Sequence, residues 1–260
     1  MKNQQIIYYS DELNDEFSTI KIIPRKIDET YKYGDNSFMW NFLHVFWYNI
    51  VFKPATIFYF KFILGHKIIG KEKLKSFKKK AYFLYGNHTN TACDPFIPSL
   101  LSKPNDIFVI VHANNVSMPF LGRINRYLGA VPLPDGLSAT KNFMETIKLR
   151  ISQNHPVCIY PEAHIWPYYT KIRPFTDLSF RYPVQYETAT FCFTNTYQKR
   201  RFRKPRIVTY IDGPFYADEN LSSKEKKTKL RNMVYNTMVD RSKNNNVEII
   251  KYIKKEDKND

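Results

Sequence analysis

Cysteine is scarce in this sequence and nowhere paired: Cys93, Cys158 and Cys192 are scattered singly, with no Cys-x-x-Cys. That excludes a disulfide framework and a cysteine zinc site, and points to a reducing compartment. No His-x3-His spacing supplies the other common metal pattern. The opening MKNQQIIYYSDELNDEFS carries acidic residues where a secretory signal needs a basic start and an apolar run, so export is not expected. Internal repeats and low-complexity tracts are also missing. Negative charge is in deficit, with 24 Asp+Glu against 40 Lys+Arg and a net charge of +16. Such a balance predicts an anionic partner, either nucleic acid or an acidic membrane surface, and near a membrane each basic side chain contributes about 1 kcal/mol.

The 260 residues suffice for a single domain with a real core. Aromatic residues are abundant, at 16%. Residues 1–36 are polar and mixed in charge, and read as an extended, loosely packed arm. Residues 37–64 differ sharply, running FMWNFLHVFWYNIVFKPATIFYFKFIL from Phe38 to Leu64. Before Pro54 only about 15 residues form an unbroken helix, roughly 22 Å and short for a bilayer. Pro54 is expected to kink or end it. Asn41, His44 and Tyr48 lie three and four apart, a narrow polar stripe on an apolar helix. A buried core helix fits this pattern. So does a pair of amphipathic helices docked in a membrane interface, with Trp40, Trp47, Tyr48 and Tyr59 at headgroup depth; the aromatic content and basic flanks favour the membrane.

From residue 65 to 260 the pattern is α/β, predicting a mixed sheet flanked by helices. Strands are expected at 81–86, 106–111 and 156–160, with a short extended piece at 129–134. TATFCFTNTY (188–197) alternates with period two, as in a strand with one polar face. RKPR (203–206) turns into the strand IVTYI, which Gly213-Pro214 ends. Asp94-Pro95 predicts a capped helix running through Leu100. Ser138 opens a helix with Phe143, Met144, Ile147 and Ile151 on one face. Ser222 with Glu225 forms a capping box for a basic C-terminal helix.

The chemistry concentrates in YGNHTNTACDPF (85–96), where a strand hands Asn87 and His88 to a loop that returns as a helix at Asp94. This puts an imidazole and a carboxylate at one sheet edge, where α/β folds place their sites. A histidine suits removal of a proton from an attacking hydroxyl, and Asp94 would hold its tautomer. Read alone, the pair equally suits a surface-loop histidine beside a helix cap. IYPEAHIWPYY (159–169) repeats the strand-to-loop pattern, with Glu162 just past the strand. Cys93 reads as a small buried residue rather than a nucleophile. The basic run QKRRFRKPR (198–206) lies at a hairpin turn, where a solvated charge run outweighs nucleic-acid binding.

Four blocks in order resemble the lysophospholipid (1-acylglycerol-3-phosphate) acyltransferase family: NHTNTACD (87–94), FLGRINRYLGAVPLP (120–134), YPEAHIWP (160–167) and FRYPVQ (180–185). The resemblance covers roughly residues 65 to 215. It implies a single glycerolipid-acyltransferase-like domain behind membrane-docking helices. It also implies acyl transfer from an acyl-carrier-protein or CoA thioester to the free hydroxyl of a lysophospholipid. No tightly bound cofactor or metal is implied. The location implied is the cytoplasmic face of a membrane, peripheral or monotopic. His88 would be the base and Asp94 its partner, with Asn87, Glu162, His164, Lys171, Arg173 and Arg123 on the acceptor and Arg126 as a further cation. Three departures stand out. Five residues, not four, separate His88 from Asp94. Ala163-His164-Ile165 replaces the family's Gly-Thr-Arg, and Pro134 stands where an arginine is usual, which removes the expected phosphate ligands. The alternative is a lipid-binding scaffold of the same fold that has lost catalysis.

Overall fold

The computed structural model describes residues 4–17, 22–34, 37–102 and 104–255. Strand β1 (Gln5–Tyr9) opens the chain. Helical segments then follow one another from Phe38 to Leu64: α1 (Phe38–His44), a π-helical stretch Val45–Phe52, α2 (Lys53–Phe58) and a second π-helical stretch Tyr59–Leu64. Pro54 does not end this run. It sits in the first turn of α2, and Phe52 and Lys53 on either side of the junction keep right-handed helical dihedrals. The wider π ladder just before it accommodates a ring that lacks an N–H. Gly65 stops the run in the left-handed region at φ 61°, its N–H bonded to Phe60 O. No helix among the described residues is long and apolar enough to cross a membrane.

This helical run turns polar groups inward beside the aromatics Trp40, Tyr48 and Phe60, and a mainly apolar face outward. His44, Tyr48, Lys53 and Thr56 are buried, whereas Phe38, Ile50, Phe58 and Phe62 are exposed by 84%, 62%, 59% and 65%. Asn41 points outward, so only part of the expected stripe faces the domain. Trp40 and Tyr48, expected at headgroup depth, are buried instead. The inward groups converge on Asp106, which accepts from Lys53 Nζ at 3.1 Å and Asn49 Nδ2 at 3.1 Å and lies 3.3 Å from His44 Nε2. His44 Nδ1 meets Tyr127 O at 2.7 Å, and the Tyr48 hydroxyl accepts from Ile107 N. Asp106 therefore ties the helical run to the sheet rather than beginning a strand.

The main sheet holds β2 (Lys67–Ile69), β3 (Tyr82–Gly86), β4 (Phe108–Val111), β5 (Ala130–Pro132), β6 (Val157–Ile159), β7 (Ala189–Gln198) and β8 (Arg206–Phe215), ordered β2-β8-β7-β3-β6-β4-β5. It is mixed: β7, β3, β6, β4 and β5 run parallel, and β8 is antiparallel to β7. β8 runs through Gly213-Pro214 to Phe215 rather than ending there. Alternation along β3 splits the core. Phe83 and Tyr85 pack with Phe143 and Ile147 of α6 (Leu137–Ser152) and with Leu230 and Val234 of α8 (Ser223–Ser242). Tyr82 and Leu84 face Phe60, Ile97 and Leu101, the last two from α3 (Ile97–Leu101). The polar face of β7 is buried, because the strand is internal and α8 covers it. The Ser222–Glu225 capping box opens α8.

The N-terminal arm is not loose. β1 pairs in parallel with β9 (Ile250–Lys254), a strand the sequence pattern did not suggest. Phe17 and Tyr9 pack on Trp166, and Ile27 is fully buried, its N–H bonded to Asp135. The arm thus becomes part of the domain by covering the loop that follows β6.

Candidate active site

Parallel pairing brings the C-terminal ends of β3 and β6 to one sheet edge, so His88 and Glu162 leave the sheet side by side. β3 ends at Gly86, where a Cβ would run into the Phe193 ring. Asn87 then turns inward: its amide donates to Asn195 O at 3.1 Å and accepts from Asn195 N at 2.7 Å. His88 follows with Nδ1 2.8 Å from Asp94 Oδ2, its ring stacked on Tyr160 at 4.6 Å. Asp94 is fully buried, while the His88 side chain is 24% exposed. His88 Nε2 has no partner among the described residues, which leaves that nitrogen free to act as a base.

The extra residue between His88 and Asp94 is taken up in a turn. Asp94 N donates to Asn90 O, Asn90 N donates back to Asp94 Oδ2, and the Asn90 side chain caps Cys93 N. Asp94 is consequently not a helix cap; α3 begins only at Ile97, behind Phe96. The N–H groups of Asp94, Phe96 and Ile97 are spent on local carbonyls, so the helix start is not an oxyanion donor. Burial, with the Asp94 charge beside it, pushes the Cys93 thiol up to about 12. At neutral pH it stays protonated and is no nucleophile.

The loop after β6 holds the histidine loop from below. Glu162 is buried and accepts from His88 N at 3.0 Å and Arg173 N at 3.1 Å. Burial raises its pKa, against the Arg173 charge and these two bonds. Arg173 is buried as well, donating to Glu162 O, His164 O and Glu12 O and lying over the Trp166 ring. Asn87, Glu162 and Arg173 are therefore engaged within the protein and are not offered to a ligand, contrary to expectation. His164 is partly exposed, with Nδ1 3.5 Å from Glu16. Lys171 and Arg123 are exposed cations without an ion pair among the described residues. Arg126 lies before β5, at the opposite end of the strands from His88, and stacks on Tyr127. Ala163 adopts φ 61°, a left-handed conformation at the position where the family block has glycine.

Residues 66–191 match the family model described as Acyltransferase. That segment is an acyltransferase domain. Among solved structures, the 1-acyl-sn-glycerophosphate (LPA) acyltransferase PlsC from Thermotoga maritima is similar at 16% identity, over 78% of this chain and 79% of that one, with a TM-score of 0.49. No curated protein matches the sequence significantly. In this acyltransferase the matched segment begins at His66, immediately after the helical run, and contains both His88 and Glu162. Two residues beyond Asp94, Phe96 stacks on Phe52 at 5.1 Å and meets Phe60 at 6.4 Å. The acyltransferase loop is thus packed directly on the run with the exposed apolar face. Asn195, which reaches Asp94 at 3.4 Å from β7, carried no sequence signal beyond being a polar residue in an apolar strand.

Proposed function

We propose that this acyltransferase moves a fatty acyl group from a thioester, of CoA or an acyl-carrier protein, to the free hydroxyl of a lysophospholipid. The observation that carries the reading is the half-buried His88 on its buried Asp94, with Nε2 unpartnered among the described residues. Nε2 takes the hydroxyl proton as the oxygen bonds to the thioester carbonyl carbon. The tetrahedral intermediate collapses, the C–S bond breaks, and the imidazolium returns its proton to the departing sulfur. Asp94 holds Nδ1–H and stabilises the transient cation. The preferred acceptor is 1-acylglycerol-3-phosphate, with the exposed Lys171 and Arg123 as the cations available for its phosphate.

The substrate reaches the site from a membrane surface on which the 38–64 run lies. Its exposed Phe38, Ile50, Phe58 and Phe62 support that placement, since an apolar stripe of this length is costly in water. The β7–β8 hairpin adds Lys199, Arg200, Arg201, Arg203 and Lys204 around an 86% exposed Phe202. Its root touches the end of the run, because a Cβ on Gly65 would meet the Arg200 guanidinium.

The test is thiol release by purified protein given palmitoyl-CoA or palmitoyl-acyl-carrier protein with lysophosphatidic acid. His88→Ala is expected to lower the rate about 10²–10⁴-fold. Equal rates in both proteins, with vesicle binding retained, would instead identify a scaffold that has lost turnover, a reading favoured by the missing family arginines.

A further inference from the structure

Behind the dyad, on the side away from Nε2, a chain of buried side chains continues from Asp94 into the sheet. The register of β7 against β3, Gly86 beside Phe193, puts Asn195 alongside the histidine loop. Asn195 is 1% exposed, and its Nδ2 lies 3.4 Å from Asp94 Oδ1. The other carboxylate oxygen is already taken by His88 Nδ1 and Asn90 N. Asn195 is therefore the side-chain donor that keeps the carboxylate turned with Oδ2 toward the histidine. Its backbone is clamped on both sides by the Asn87 amide. Its Oδ1 accepts from the Thr209 hydroxyl at 2.6 Å, and Thr209 Oγ1 lies 2.7 Å from Nε2 of His66.

A hydroxyl has one proton to give. Thr209 spends it on Asn195 Oδ1, so His66 must donate from Nε2. Burial, assisted by the Lys71 charge, pulls the His66 pKa down to about 4, so at neutral pH the ring carries a single proton. With that proton on Nδ1 instead, Thr209 would turn its hydroxyl to His66 and leave Asn195 Oδ1 without a donor. The amide itself would stay as it is, because the acceptor-only Asp94 carboxylate takes its NH2 end. Resting on the function proposed above, we infer that Asn195 is a positioning residue of the His88–Asp94 dyad, and that the amide orientation fixed by Asp94 is relayed through Thr209 to a proton on His66 Nε2, which completes the chain of donors behind the dyad. His66 follows the Gly65 stop, donates its N–H to Phe60 O and packs its ring edge-on against Phe60. One hydrogen-bonded chain thus joins the dyad to the end of the outward-apolar helical run.

Two measurements test this. Nitrogen-15 NMR of histidine-labelled full-length protein at neutral pH is expected to show His66 as the Nε2–H tautomer; the Nδ1–H tautomer overturns the inference whatever the activity. In the thiol-release assay, Asn195→Ala and Thr209→Val are expected to lower kcat about tenfold, the low end for a hydrogen bond to a charged group, with KM unchanged. Thr209→Ser, which keeps the hydroxyl, is expected to retain the wild-type rate. Asn195→Asp, setting a second negative charge against Asp94, is expected to move the acid limb of the rate profile to higher pH. Wild-type kcat and pH profile in Asn195→Ala and Asn195→Asp would overturn the positioning role. Wild-type protein without His88-dependent thiol release would instead sink the proposed function, and the tautomer would then decide the hydrogen-bonded chain alone.

Discussion

Ala163 sits at φ 61° in the loop that holds His88, where an L side chain crowds its own carbonyl. The left-handed conformation costs a non-glycine residue roughly 1–2 kcal/mol, and the structure keeps it because Glu162 and Arg173 on either side leave the loop no other path. Replacing Ala163 with glycine removes that strain but adds unfolded-chain entropy of about 0.4–1 kcal/mol. Ala163→Gly is accordingly expected to raise stability by about 0.5–1 kcal/mol in urea unfolding, while the bulkier Ala163→Val lowers it. A glycine variant less stable than wild type would mean the loop carries no strain. At the same scale, Glu162 and Arg173 show how motif residues can be engaged within the protein. Their charges are buried against each other and their bonds run to backbone, so they shape the loop from which His88 projects.

At the scale of elements, the helical run is held to the sheet by polar contacts as well as by its buried Trp40 and Phe60. Asp106 is central. Burial opposes its ionisation, yet bonds from His44 and Asn49 and the charge of Lys53 outweigh that and hold its pKa at about 2 against the ordinary 3.8. A carboxylate depressed in the folded state contributes stability above its unfolded pKa and loses it as pH falls through the folded value. The contribution here is about 2 kcal/mol at neutral pH. The stability gap between wild type and Asp106→Asn should therefore narrow by about 1 kcal/mol on going from pH 6 to pH 3. A gap that stays constant over that range would show that Asp106 is not held in this way. The π-helical stretches belong to this scale too. They let 27 residues, from Phe38 to Leu64, pass Pro54 while keeping the Asp106 contacts on one side.

Across the whole molecule, the apolar outer face of the run and the basic β7–β8 hairpin meet at Gly65 and Arg200. Apolar contact is insensitive to salt, whereas attraction to anionic headgroups is screened beyond about 8 Å at physiological ionic strength. Sedimentation with vesicles separates the two. The triple variant Arg201→Glu, Arg203→Glu, Lys204→Glu is expected to weaken binding to phosphatidylglycerol vesicles at least ~10-fold at low salt, because each basic residue contributes about 1 kcal/mol. Binding to neutral phosphatidylcholine vesicles should change little. An equal loss on both vesicle types would assign the hairpin a structural role instead.

Much of the architecture was legible in the chain. Apolar patterning marked the strands later numbered β3, β4, β6 and β7 and the helix α6, while turn and cap residues marked β8 and α8. His88 and Asp94 were readable because their chemistry is tied to short loops at strand ends. Other features were decided by tertiary structure. Pairing of β1 with β9, more than 240 residues apart, left no local trace, so the arm looked loose. Trp40 and Tyr48 carry the composition of an interfacial residue whether they face lipid or core, and only tertiary packing, against Phe108 for Trp40 and Ile107 N for Tyr48, turned them inward. Charge alone made Arg173 resemble a phosphate ligand; burial made it a loop support. Asn195 had no motif at all and gains its place from strand register. Sequence by itself determined which segments form elements and which side chains carry chemistry, since those depend on neighbours along the chain. Which polar groups face one another was decided only when distant strands met, because a hydrogen bond depends on direction and distance that periodicity does not encode.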